Sequence, residues 1–130
     1  MTTFNALHLN AFVMGYLEAL YFAETATNSD GEEVDNLAGV EMTESAREEC
    51  RQECAQFMDL APLWLKSAML AGIDYDHTQA GRDFWFSRQG HGVGFWDRGL
   101  GVIGDQLHKV AEQFGEKHIY INENGLIEVE

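Results

Sequence analysis

Apolar residues recur at helical spacing through the first half of the chain. From about position 4 to 26 they occupy nearly every side of a predicted helix, which is typical of a helix buried in the core or against a partner. We therefore expect this first helix to carry any contact that forms a homo-oligomer. The next stretch, TNSDGEEVDN (27–36), predicts an acidic loop in which Asp30 and Gly31 form a turn.

A second and a third helix are predicted between positions 43 and 72. The second begins at Thr43 or Ser45, and the spacing of Ser45 and Glu48 suits a capping box. Its apolar stripe contains Ala46, Cys50, Cys54, Phe57 and Met58. Pro62 suits the first turn of the third helix, which Gly72 is expected to end.

The pattern changes at DFWFSRQGHGVGFWDR (83–98), where aromatic residues alternate as they do in strands. A two-residue turn at Gln89 and Gly90 predicts a β-hairpin. One face of this hairpin would contain Phe84, Phe86, Val93 and Phe95. Trp85 would lie opposite Gly94 on the other face, where the ring can cover the bare glycine backbone. Core packing would then account for most of these aromatic side chains.

The C-terminal third predicts a helix and a second hairpin. The helix has Ile103, Leu107, Val110 and Phe114 in one row. Gly115 is expected to end it. In HIYINENGLIEV (118–129), a two-residue Asn-Gly turn would mix apolar and acidic residues on both faces. A three-residue loop (123–125) with Gly125 left-handed instead places Ile119, Ile121, Ile127 and Val129 on one face, and this is the register that we predict.

Together these elements predict an α+β fold. N-terminal helices are followed by two antiparallel β-hairpins that flank a helix, most simply as one four-stranded antiparallel sheet packed on helices. The length of 130 residues suits a single domain over 1–130.

Eight basic against 22 acidic residues give the chain a formal net charge of −14. Residues 24–59, here called the acidic segment, contain eleven acids and two arginines. Such a field repels phosphates, so direct nucleic acid binding is disfavoured. The charge can serve solubility alone, or it can fill a partner's basic groove as a nucleic-acid mimic does. The residues expected to form this acidic interaction face are Glu32, Glu33, Asp35, Glu41, Glu44, Glu48, Glu49 and Glu53.

The chain carries no export pattern. The most apolar stretch, residues 10–23, is broken by Glu18, is shorter than a membrane span and lacks a basic start. Cys50 and Cys54 stand one helical turn apart and are expected to be reduced, buried thiols. We therefore expect a cytoplasmic protein without a membrane partner.

Three short patterns suggest chemistry but fail in context. GLGVIG (99–104) matches a dinucleotide motif, yet too few residues follow it for a doubly wound domain. DYDHT (74–78) begins like a calcium loop, but Gln79 and Trp85 stand where glycine and glutamate are needed. The two cysteines lack a second pair of zinc ligands. No metal, cofactor or catalytic residue is predicted.

Most of the scarce arginines lie close to the predicted aromatic hairpin. Arg82, Arg88 and Arg98 accompany His91 and Asp97 there. Such a set can bind an anion or perform acid–base chemistry, and it can equally pair with Asp83 and Asp97 to hold the hairpin. These alternatives stay open. The candidate binding residues are Arg88, His91, Asp97, Arg98, Trp85 and Trp96.

The stretch AGRDFWFSRQGHGVGFWDRGLG (80–101), with GDQLHKVAEQFGE and IYINENGLI after it, resembles a family of small bacteriophage and prophage proteins. The recurring core of this family is Asp-Phe-Trp-x-x-Arg-x-Gly-His-Gly-x-Gly-Phe-Trp-Asp-Arg. The similarity extends to YLEALYFAETA and ECAQFM and so covers most of the chain. Ser87 and Gln89 stand where relatives have Thr and Asn. The resemblance implies a phage origin and a host cytoplasm, but no activity.

The leading hypothesis is a non-enzymatic interaction protein that binds and modulates, as an inhibitor does, a host or phage factor of nucleic-acid metabolism or defence. The acidic segment would attract a partner with a basic nucleic-acid-binding surface. The alternative is a small enzyme, or an anion- or ligand-binding protein, that uses Arg88, His91, Asp97 and Arg98.

Overall fold

A computed structural model describes residues 6–71 and 74–130 and shows an α+β fold. Its helices are α1 (Ala6–Ala23), α2 (Glu44–Leu60), α3 (Pro62–Ala71), α4 (His77–Arg88) and α5 (Val102–Glu112), with a 3₁₀ turn at Phe95–Asp97. Its strands are β1 (Ala26–Thr27), β2 (Glu33–Val34), β3 (Ile119–Ile121) and β4 (Ile127–Val129).

The four strands form one mixed sheet in the order β2-β1-β3-β4. β1 pairs antiparallel with β2, and β3 pairs antiparallel with β4, but β1 and β3 run parallel. The prediction of an all-antiparallel sheet is therefore wrong. The parallel pair arises because β1 follows α1 directly and meets β3 only after the chain has passed through all the other helices.

The C-terminal hairpin has the predicted register. Ile119 lies opposite Val129 and Ile121 opposite Ile127, and all four side chains are buried on one face. The loop contains residues 123–125, and Gly125 adopts a φ of 77°. The requirement for one clean apolar face selects this register, as the alternation of residues indicated.

The hairpin predicted over 83–98 is absent, and this is the main correction to the sequence analysis. Residues His77–Arg88 form α4, which Asp76 caps by accepting a hydrogen bond from the Gln79 amide at 2.8 Å. Trp85 is completely buried within this helix and does not pair with Gly94. The sheet instead takes its other two strands, β1 and β2, from the predicted acidic loop and from Ala26 before it. The first helix therefore ends at Ala23, earlier than predicted, while the predicted turn at Asp30 and Gly31 is confirmed.

After α4 the chain turns back against that helix. Gly94 adopts a φ of 143°, and a side chain there would overlap the Ser87 hydroxyl. The Phe95 amide donates a hydrogen bond to that hydroxyl at 3.2 Å. The reversal returns Phe95 to the core, where it stacks on Phe57 with ring centroids 5.5 Å apart.

Helices α1 and α4 cross with their backbones in contact. A side chain at Gly15 would overlap the Thr78 carbonyl, and a side chain at Gly81 would overlap the Phe12 carbonyl. The two glycines therefore allow a distance between the helix axes that any larger residue would prevent. Around this crossing, Tyr16 packs edge-on against Trp85 with ring centroids 5.1 Å apart.

The predictions for α2 and α3 are largely confirmed. The whole predicted stripe of α2, from Ala46 to Met58, is buried. Thr43 is the N-cap, since its hydroxyl accepts a hydrogen bond from the Ala46 amide, so the capping box at Ser45 and Glu48 is wrong. α3 begins at Pro62, while the predicted stop at Gly72 lies outside the described residues.

The prediction for α5 is confirmed in part. The helix ends at Glu112, three residues before Gly115, which adopts a φ of 72°. Of the predicted apolar row, Leu107 is fully buried. The half-buried members are Ile103, Val110 and Phe114.

Two histidines join the starts of α1 and α4. His8 and His77 stack with ring centroids 4.1 Å apart and planes inclined by 9°. Burial, together with the nearby His8 ring, lowers the pKa of His77 from its usual value near 6.5, and Asp76 opposes this shift. The unfolded chain therefore takes up a proton at this position before the folded chain does.

We expect the free energy of unfolding to fall as the pH drops below about 6.5, and His77→Gln to flatten that decline. The difference should be less than about 1 kcal/mol because solvent screens the partly exposed rings. Urea denaturation across this pH range measures it. His118→Gln, at an exposed histidine, is the control and should keep the full decline. An identical decline in His77→Gln and the parent protein would contradict the prediction.

Candidate functional site

Arg88, a predicted binding residue, is fully enclosed at the end of α4. Its side chain donates hydrogen bonds to the Phe114 and Gly115 carbonyls, both at 2.9 Å. The Nη1 atom also donates to the Tyr16 hydroxyl at 3.1 Å and to the Glu53 carboxylate at 2.9 Å. Through these hydrogen bonds the guanidinium links α1, α2 and the chain after α5. Since the side chain is enclosed, it presents no free donor to solvent.

Arg98 pairs with Asp83, an acid of the same motif. The Nη2 atom of Arg98 lies 2.9 Å from a carboxylate oxygen of Asp83, which is completely buried. Tyr75 and Gln79 also donate to this carboxylate, at 2.7 and 3.2 Å. Burial raises the pKa of Asp83, against the hydrogen bonds from Arg98, Tyr75 and Gln79 that lower it. Arg98 thus anchors the loop after α4 to the helix itself.

Trp85 and His91 share one acceptor, Glu24, which follows α1. One carboxylate oxygen of Glu24 accepts from the Trp85 indole at 2.9 Å and lies 2.8 Å from Nε2 of His91. The Trp85 ring is buried, whereas the His91 ring keeps about a third of its surface exposed. This arrangement directs Nδ1 of His91 away from the bonded carboxylate and holds the glycine-rich loop against α1.

Trp96, Asp97 and Arg98 are the more exposed residues of the region, and Arg82 is half-buried. Trp96 is half exposed in the 3₁₀ turn, and Asp97 beside it is exposed. Arg82 forms a surface ion pair with Glu18 at 3.1 Å. The structure therefore separates the six candidate binding residues: Arg88 and Trp85 lie inside, while Trp96 and Asp97 face outward.

Three cavities formed by described residues lie away from these side chains. The first lies between α1 and α2, and the second between α2 and the residues after α5. The third lies between α1, the end of α2, α3 and α4. None of the six candidate binding residues lines any of these three. None of these three cavities therefore gives the six a shared concave surface, which is the usual setting for small-molecule capture.

The acidic interaction face is divided by the fold. Glu53 pairs with Arg88, and both Glu53 and Glu49 pair with Lys117, at 3.5 and 3.0 Å. The other six predicted residues are exposed: Glu32, Glu33, Asp35, Glu41, Glu44 and Glu48. They extend from the β1–β2 turn to the first half of α2, and none of them takes part in an ion pair between described residues.

Cys50 and Cys54 are buried free thiols, as expected. Burial, with the nearby Glu53 and Glu49 carboxylates, raises the pKa of the Cys50 thiol to about 12. Thiols of this kind remain protonated at neutral pH and are poor nucleophiles. Within the described ranges, no three His, Cys, Asp or Glu side chains are grouped to hold a metal ion.

Sequence reasoning missed the acids that complete the site. Glu24 lies 61 residues from Trp85, and Glu53 lies 35 residues from Arg88. No local pattern marks such partners. One local signal was available for α4 itself, because Asp76 followed by Gln79 three residues later has the spacing of a helix start.

Between residues 6 and 71 and between 74 and 130, no helix combines the length and apolar character needed to cross a bilayer. Comparisons with protein-family models, with curated proteins and with solved structures find no match to this chain.

Proposed function

We propose that this protein is a non-enzymatic, phage-encoded interaction protein whose exposed acids bind a partner with a basic nucleic-acid-binding surface. The partner would be a host or phage factor of nucleic-acid metabolism or defence, and binding would compete with its nucleic acid. The motif residues would then shape the fold rather than contact the partner.

One observation carries this proposal: four of the eight basic residues are held in ion pairs, while six acids of the acidic segment stay exposed. Arg82, Arg88, Arg98 and Lys117 are paired with acids of the chain itself. Six acids of the acidic segment remain exposed outside any described ion pair. An exposed surface with an excess of one sign increases the rate of encounter with an oppositely charged partner.

The alternative function, catalysis or anion binding at the motif, has weaker support. It requires free arginine donors, whereas Arg88 and Arg98 are bound to Glu53 and Asp83. His91 remains the candidate for such a role, because its ring is partly exposed and paired with Glu24.

Two matched variants test the proposal. The acidic-segment variant combines Glu33→Gln, Glu41→Gln and Glu48→Gln. The control variant combines Glu116→Gln, Glu123→Gln and Glu130→Gln. All six acids are exposed, and each variant removes three negative charges.

We expect wild-type and control protein to capture the same factor from a bacterial lysate at low salt, and the acidic-segment variant to lose it by at least tenfold. Added salt and added duplex DNA should both release the factor. Equal capture by all three proteins would contradict the proposal, as would a captured factor without affinity for nucleic acid.

A further inference from the structure

A groove along α3 combines exposed leucine side chains with one lysine. It lies between the starts of α1 and α4, the end of α2 and the length of α3, and has a volume of about 500 Å³. Pockets that hold small ligands have volumes of about 300–1,000 Å³. The groove is therefore large enough for a small organic molecule.

The walls of the groove are apolar. Met58 and Leu65 line it as buried side chains, while Leu63 and Leu70 remain 76% and 80% exposed. Leu63 and Leu70 are seven residues apart on α3 and so share one helix face. Covering two exposed leucines is favourable by about 25 cal/mol for each Å² of apolar surface removed from water.

Among the described lining residues of the groove, the one formally charged side chain at neutral pH is a cation, Lys66, opposite in sign to the net charge of the chain. Lys66 stands on the same face of α3 as Leu63 and Leu70, and the two stacked imidazoles of His8 and His77 also line the groove. No carboxylate is among the described lining residues, although the chain contains 22 acids. Lys66 is exposed and forms no ion pair with another described residue.

We propose that this groove binds a single-chain aliphatic carboxylate, with the tail between Leu63 and Leu70 and the carboxylate at Lys66. An apolar wall beside one unpaired cation complements a ligand with an apolar body and one negative head. None of the acids of the acidic segment lines this site, and the proposal does not depend on the proposed function.

Two other occupants fit the charges less well. A second copy related by a twofold axis through the groove would bring Lys66 near its own symmetry mate, with no described lining carboxylate between them. An anionic membrane would repel a chain of net charge −14. A free carboxylate needs no symmetry mate and carries a single charge, so the chain repels it far less than an anionic membrane surface.

Calorimetric titration with dodecanoate below its micelle concentration tests the site, with dodecyltrimethylammonium as the probe of equal tail and opposite head. We expect dodecanoate to bind at least tenfold more tightly than the ammonium. Lys66→Glu should abolish this preference. Lys109→Glu makes the same charge change at an exposed lysine of α5 outside the groove, and should leave it unchanged.

Leu70→Gln, at a largely exposed position, should weaken dodecanoate binding without unfolding the protein. Equal binding of the two probes would overturn the proposal, because it would indicate adsorption by the tail alone. Equal losses in Lys66→Glu and Lys109→Glu would overturn it as an effect of net charge. An absence of dodecanoate binding, or a dimer that Leu70→Gln dissociates, would also overturn it.

Discussion

Replacing Arg88 with methionine should lower the free energy of unfolding by about 3–5 kcal/mol, a large fraction of the stability of a typical domain. The substitution keeps a long apolar side chain but removes the donors that satisfy Glu53, Tyr16 and the Phe114 and Gly115 carbonyls. Leaving polar groups unsatisfied in a buried site costs more than losing an exposed ion pair. Urea denaturation, followed by tryptophan fluorescence, measures the change.

Two substitutions serve as controls for Arg88. Arg88→Lys should rescue little of the loss, because one ammonium group cannot reproduce a planar guanidinium that reaches three separate elements. Arg82→Met, in the same helix, removes an exposed ion pair with Glu18 and should cost less than about 1 kcal/mol. If Arg88→Met were as mild as Arg82→Met, the motif arginine would not be a structural element, and a functional role would have to replace it.

Gly81→Ala should be comparably damaging and should cost about 3 kcal/mol or more. The added methyl group would overlap the Phe12 carbonyl of α1, which is backbone and cannot rotate away. Relief would require α1 and α4 to separate, and this would loosen the packing of Tyr16 on Trp85. A lower midpoint of thermal unfolding and a weaker near-ultraviolet circular dichroism signal from the aromatic side chains would report the separation.

Gly92→Ala is the matched control for the helix crossing. Gly92 does not adopt a positive φ, so alanine fits its backbone conformation. A side chain there would meet no atom within 4 Å. We expect a change within about 0.5 kcal/mol. Equal stability of Gly81→Ala and Gly92→Ala would show that the backbones of α1 and α4 are not in contact at Gly81.

Elements held by local interactions could be predicted from the sequence, and those that depend on distant partners could not. The stripe of α2 and the register of β3 and β4 depend on local periodicity and on one buried face, and both are confirmed. The error at 83–98 arose because aromatic side chains alternate there in a way that fits a strand. In α4 consecutive residues such as Phe84 and Trp85 can both be buried, because the helix is central and packs against neighbours on several sides.

The pairing of charges could not be derived from the sequence. Structural pairing of the arginines was one of the alternatives, but the expected acceptors were Asp83 and Asp97 close by. Arg98 does use Asp83, whereas Arg88 uses Glu53 of α2 and Arg82 uses Glu18 of α1. These distant acids become neighbours only after the helices have packed. The strands β1 and β2 have two residues each and carry too little alternation to be recognised.

The central claim is that the motif builds the interior and the exposed acids contact the partner. The most direct measurement is the affinity of the captured factor for wild-type protein and for the two triple variants, each over a range of salt concentrations. We predict a steep loss of affinity with salt for the wild type and the control variant. The acidic-segment variant should bind more weakly and with a shallower salt dependence. Identical affinities and identical salt dependence for the three proteins would contradict the claim.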